Sequence, residues 1–185
     1  MVAFGSGLTR SAGAPTMGAM TDKIRVERSI AHLPDYEPLP QGWRTTSLAE
    51  LGEQRFAAAM LRASEGDSFD QSAPESALDD LRELIEAAGP AFVPERWVVV
   101  SDDDGEIGVV LPQTFPDHPE VGTIFYLGIV PERRGQGAGR RLHRYGMGRL
   151  RAVKAERYVD STDPRNEAMR AVFRANGCHE VDAIG

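Results

Sequence analysis

"LGIVPERRGQGAGRRL", residues 127–142, passes from an apolar run through a glycine loop into a charged, helix-forming stretch. Gly135, Gly137 and Gly139 alternate with Gln136 and Ala138, and Arg133, Arg134, Arg140 and Arg141 flank them. Glycine tolerates positive φ and has no side chain to bar a close approach. Directly before a helix, such a loop turns free backbone N–H groups outward, with the positive end of the helix dipole behind them. The expected guest is phosphate. A P-loop requires Gly-x4-Gly-Lys-Ser/Thr, and no such lysine and hydroxyl pair follows. A dinucleotide fingerprint requires a glycine where Arg140 stands.

Working outward, "EVGTIFYLGIV" (120–130) is nearly apolar throughout and reads as a central strand covered on both faces. Before it, "RWVVVSDDDGEIGVVLP" (96–112) is two β-rich runs around Asp104-Gly105, a hairpin signal. Its aspartates lack the spacing and terminal glutamate of a calcium loop. Earlier still, Leu48, Leu51, Phe56, Met60 and Leu61 form one helical stripe ending at Gly66, and Leu78, Leu81, Leu84 and Ile85 a second, ending at Gly89-Pro90. A short strand is expected over Trp43–Ser47. Beyond the loop, Leu142, Tyr145, Leu150 and Val153 predict a helix, "RYVDST" (157–162) a strand, residues 164–176 a helix and "CHEVDAIG" (178–185) a last strand. This is α/β wiring preceded by an antiparallel meander.

The chain has 185 residues, a size for one domain, with 26% charged and 41% hydrophobic residues and a net charge of -7. That charge argues against nucleic acid or membrane as partner, and no stacking aromatics interleave the basic run. The charge is also divided. Residues 47–90 hold ten acids against three arginines, and residues 131–157 nine Lys/Arg against two glutamates. With Cys178 the only cysteine, the expected compartment is the reducing cytoplasm. Residues 1–22 read as a disordered leader and residues 40–185 as the folded domain. His32, His118 and His143 show no metal-ligand spacing, so no metal is expected.

The loop Arg134-Gly135-Gln136-Gly137-Ala138-Gly139 resembles the acetyl-CoA signature Arg/Gln-x-x-Gly-x-Gly/Ala of the GNAT family of N-acetyltransferases. A second stretch, "DPRNEAMRAVFRANGC" (163–178), is similar to the family's later helix through Asn166, Ala168-Met169, Phe173 and Gly177. The resemblance covers about residues 95–184. It implies the acyl-CoA N-acyltransferase fold, a central mixed twisted sheet with helices on both faces, with the family's final strand missing after "CHEVDAIG". The last strand's open edge then calls for cover from a partner chain, as in a homodimer, or from the N-terminal segment, or else leaves the end frayed.

The resemblance further implies acetyl-CoA as acyl donor and an amine of a small molecule or protein as acceptor, attacked directly without a covalent intermediate. Strand splaying would offer Leu127, Ile129 and Val130 to the pantetheine arm, and a backbone N–H near Leu127 or Ile129 to the oxyanion. Arg134, Gly135, Gln136, Gly137, Ala138, Gly139 and Arg140 would cradle the pyrophosphate through main-chain N–H groups. Asn166 and Phe173 are the expected cofactor contacts on the later helix. Arg133, Arg134, Arg140, Arg141 and Arg144 are candidates for the remaining phosphates. Phe173 stands where many members carry a proton-donating tyrosine, and Thr123 where some carry a glutamate base. Catalytic side chains therefore stay unassigned, with Glu120, Tyr126 and Tyr158 as candidates. The acidic first helices favour a cationic amine. The alternative is a non-catalytic member of the fold that binds acyl-CoA as a sensor or assembly module.

Overall fold

The computed structural model describes residues 23–34, 38–69 and 72–181. Its centre is a seven-stranded sheet. In chain order the strands are β1 (Ile24–Ser29), β2 (Arg44–Ser47), β3 (Val98–Asp102), β4 (Gly105–Phe115), β5 (His118–Ile129), β6 (Arg157–Thr162) and β7 (His179–Val181). The spatial order is β2-β3-β4-β5-β6-β1-β7. Every neighbouring pair is antiparallel except β5 and β6. The expected leader, residues 1–22, lies outside the described residues, as do residues 182–185 of the last expected strand.

The helices are α1 (Leu48–Leu51), α2 (Glu53–Ser64), α3 (Ala77–Ala88), α4 (Ala138–Ala152) and α5 (Glu167–Ala175). The first expected helix is in fact two. Ser47 and Glu50 close a capping box at its start, and Gly52, at φ 76°, breaks it before α2 resumes. The apolar stripes divide between the two faces of the sheet. Phe56, Met60 and Leu81 pack with Trp97 and Phe125 on one face. Leu142, Met147, Leu150, Met169 and Phe173 pack with Val110 and Ile124 on the other. β5 runs between these cores with residues 121–126 all buried, as its apolar sequence predicts.

The packed body begins earlier than residue 40. β1 lies between β6 and β7, Val26 facing Asp160 on one side and Glu180 on the other, and its Val26 is 3% exposed. The antiparallel partner that the last strand requires is thus supplied by the N-terminal segment. Arg28 donates to the Asn176 carbonyl, and Glu27 lies 3.5 Å from His179, closing the same seam. β7 is itself the outermost strand on this side of the sheet, paired with β1 alone among the described residues.

Candidate functional site

β5 and β6 pair in parallel over two rungs only, Val121 with Arg157 and Gly122 with Tyr158. Beyond them the strands part. A bulge in β5 accompanies the split, since Pro112 faces Ile124 while Val110 faces Leu127. Two residues of β4 thus span three of β5, which shifts the alternation of β5 by one. Val130 N–H donates to the Ile107 carbonyl on the β4 side at 3.1 Å. By alternation the backbone groups of Leu127 and Ile129 face the fork.

The fork opens into a groove of about 570 Å³. Leu127–Ile129 form its floor, Met169 and Val172 of α5 one wall, and Ala63 with residues 66–69 the other. Its end is the glycine loop. Gly135 and Gly137 have φ of 75° and 78°, and a Cβ at either would meet nothing within 4 Å. Only at Arg141, which donates to the Gly137 carbonyl at 3.3 Å, do the α4 hydrogen bonds begin. The N–H groups of Ala138, Gly139 and Arg140 are therefore left for a ligand, at the positive end of the helix dipole. Gly139 differs from the expectation. It sits within the helix and carries no positive φ; a Cβ there would be 3.6 Å from Val172 and 3.7 Å from Ile129, ordinary contacts.

The arginines divide into structural and available ones. Arg133 pairs with Asp102 of the β3–β4 hairpin at 2.7 Å, mostly out of solvent. Arg134 donates Nε–H to the Ile129 carbonyl at 2.9 Å and an Nη2 hydrogen to the Ala63 carbonyl at 3.0 Å, tying β5 to α2. Its own N–H donates to the Pro131 carbonyl at 3.3 Å, so the free N–H run begins after it. Gln136 donates its side-chain amide to the Glu132 carbonyl. Arg141 lies over Trp43, 5.8 Å from the ring centroid. Arg140 is exposed and lines the groove.

The other expected site residues scatter. Asn166 lines the groove, but its carboxamide oxygen is engaged as N-cap of α5, accepting from Met169 N–H at 2.9 Å. Phe173 is 1% exposed and packs edge-on against the His143 ring at 5.5 Å, on the core side of α5 and away from the groove lining. Tyr126 is buried and donates its hydroxyl to the Met60 carbonyl at 3.2 Å. Glu120 lies at the exposed start of β5, beside His118. Tyr158 is fully buried. None of the three candidate catalytic side chains lines the groove. The acids of α3 do not line it either; from the acidic half only Asp67 does so among the described residues.

Sequence reasoning missed a buried polar chain beneath the fork. Asn176 donates its amide both to the Arg140 carbonyl at 3.0 Å and toward His143 Nδ1 at 2.9 Å. His143 Nε2 meets the Tyr158 hydroxyl at 2.9 Å, and that hydroxyl donates to Asp160. Burial pushes His143 down to about 3, with the Arg28 charge adding to the effect, and so fixes it as a neutral imidazole. Burial raises Asp160 to about 8, against hydrogen bonds that oppose the rise. Burial pushes Cys178 up to about 12, which makes it an inert core thiol.

A family model described as the acetyltransferase (GNAT) family matches residues 58–178. The chain belongs to the GNAT family. Among curated relatives, the mycothiol acetyltransferase of Kocuria rhizophila is 27% identical over 171 residues, covering 86% of this chain and 54% of that protein. Among solved structures, a tandem GNAT protein from the clavulanic acid biosynthesis pathway superposes with a TM-score of 0.62 at 16% identity, over 86% of this chain and 50% of the other. A GCN5-related N-acetyltransferase from Sphaerobacter thermophilus gives 0.58 at 18% identity, over 86% and 48%. The likeness to these two structures is one of fold. The chain spans about half the length of all three.

Proposed function

We propose that this GNAT domain is an acetyl-CoA-dependent N-acetyltransferase that moves the acetyl group directly to an amine. The observation that carries the reading is the juxtaposition of fork and loop in one groove: the Leu127 backbone groups and the Ile129 N–H, beyond the last β5–β6 rung, lead to the open N–H groups of residues 138–140. The first suits the amide-bearing pantetheine arm and the second the pyrophosphate. Gly135 and Gly137 leave room for phosphate oxygens against the backbone. The mycothiol acetyltransferase relative supports acetyl as the group transferred.

In the reaction the amine nitrogen attacks the thioester carbonyl and the C–S bond breaks. The ammonium then loses a proton and the departing thiolate gains one. The Ile129 N–H, turned into the fork while its carbonyl is held by Arg134, is the donor we assign to the oxyanion. With Glu120, Tyr126 and Tyr158 all off the groove, the proton leaves through water. Asp67 at the groove wall favours a cationic amine over a neutral one.

A non-catalytic acyl-CoA sensor is the second reading, favoured by the absence of those three side chains and of the Phe173 ring from the groove. Calorimetry with acetyl-CoA, followed by a free-thiol assay against a panel of amines, separates the two. Binding with thiol release identifies a transferase; binding without release for any amine identifies the sensor.

A further inference from the structure

On β6, Asp160 lies two residues beyond Tyr158, the last of its residues paired with β5. The Asp160 carboxylate accepts the Ser161 N–H at 2.7 Å and the Tyr158 hydroxyl.

With Asp160 ionised, above about pH 8, the direction of every hydrogen bond along the buried chain is determined. At one end the carboxylate takes the Tyr158 proton, so the Tyr158 oxygen accepts from His143 Nε2–H. His143 Nδ1 in turn accepts from Asn176. The second Asn176 amide hydrogen goes to the Arg140 carbonyl, in the first turn of α4. Arg140 is the last residue of the open N–H run at the glycine loop. One directed chain, wholly buried, therefore joins the rung where the fork opens to the turn that presents the anion site.

We propose that Asp160 is a positioning residue for the acyl-CoA groove: through Tyr158, His143 and Asn176 it ties β6 at the fork to the first turn of α4 and locks the glycine loop in register with the fork. The inference rests on the groove being the acyl-CoA site and adds the device that aligns its two halves. Replacing the carboxylate by a carboxamide turns an acceptor into a donor facing Tyr158. That reverses the hydrogen bonds as far as Asn176, whose oxygen would then face the Arg140 carbonyl.

The test is a double-mutant cycle on acetyl-CoA affinity at about pH 9, where Asp160 is ionised, with Asp160→Asn at the fork end and Asn176→Ala at the loop end. Each single substitution should weaken binding about tenfold, and the double variant should bind no more weakly than the weaker single one, because either lesion already breaks the chain. Tyr158→Phe removes the hydroxyl joining the halves while keeping the ring, and stands in for Asp160→Asn should that variant fail to fold. Leu142→Ala, a fully buried position of the same core, is the control for lost stability and should leave affinity within about twofold. Unchanged affinity in folded variants, or losses that multiply, overturns the positioning role alone. Failure of the unmodified protein to bind acetyl-CoA overturns the reading of the groove as well.

Discussion

Val26 stands opposite Glu180, so the earliest strand described pairs antiparallel with the latest. On its other side Val26 faces Asp160, which makes β1 an interior strand with both ladders in use. A proline at Val26 removes one backbone donor and misfits the pleat at a position 3% exposed. Val26→Pro should destabilise the fold by on the order of 2–4 kcal/mol, measured by urea unfolding. An unchanged midpoint would show that β1 is not held in the sheet.

Asp160 and His143 shift stability in opposite senses with pH. For Asp160 the ordinary value is 3.8 and the folded value about 8. Between them only the folded chain keeps the proton, so stability falls as pH rises and the loss is complete above about 8. For His143 the ordinary value is 6.5 and the folded value about 3. Between those only the unfolded chain holds the proton, so stability falls as pH drops. Each slope is about 1.4 kcal/mol per pH unit. They cancel between about 4 and 6.5, leaving a plateau and a decline from about 6.5 to 8. Asp160→Asn should abolish that decline in urea unfolding measured from pH 4 to 9, and a decline of the same slope in the variant would exclude Asp160 as its source.

Some of this was legible in the residues and some was not. The fork's central strand announced itself, because a run apolar on both faces has no other place than the middle of a sheet. The loop was legible because Gly135 and Gly137 have a local requirement, positive φ beside a helix start. β1 was not. "IRVERS" mixes two apolar residues with charges, and its partners lie at the far end of the chain, beyond any local pattern. The arginines were misjudged for the same reason, since Arg133 and Arg134 are claimed by Asp102 and by two carbonyls that only the fold brings near. The resemblance put Phe173 against the cofactor, whereas the fold buries its ring in the core beside His143.

Phe173→Tyr follows from that depth. A hydroxyl added to a ring 1% exposed enters a packed core with its hydrogen bonding unprovided for. The expected cost is about 1–3 kcal/mol in thermal or urea unfolding. No gain in turnover at neutral pH is expected. A faster variant of undiminished stability would mean that the ring reaches the thioester after all.

Gly137 separates strain from ligand repulsion. Its φ of 78° disfavours any side chain, by about 1–2 kcal/mol, although a Cβ itself has open space. Gly137→Ala and Gly137→Asp should therefore lose similar stability. Aspartate also brings a negative charge to the helix start, so its acetyl-CoA affinity should fall at least about tenfold below that of the alanine variant. Equal affinities for the two in calorimetry would remove the anion site from the loop.

Arg134 and Arg140 should part company when salt is varied. Arg134 is committed to the Ile129 and Ala63 carbonyls, so its loss leaves two acceptors unpaired and frees the end of β5 from α2. Arg134→Ala should cost about 1–3 kcal/mol of stability. Its weakened acetyl-CoA binding should keep the salt dependence of the unmodified protein, because no charge pair with a phosphate has been removed. Arg140 is exposed at the groove rim, so Arg140→Ala should change stability by no more than about 0.5 kcal/mol. Its affinity should fall most at low salt and converge on the unmodified protein's as screening grows. Calorimetry between low and high salt reads both slopes, and a flattened slope for Arg134→Ala with an unaltered one for Arg140→Ala would reverse the assignment of the two side chains.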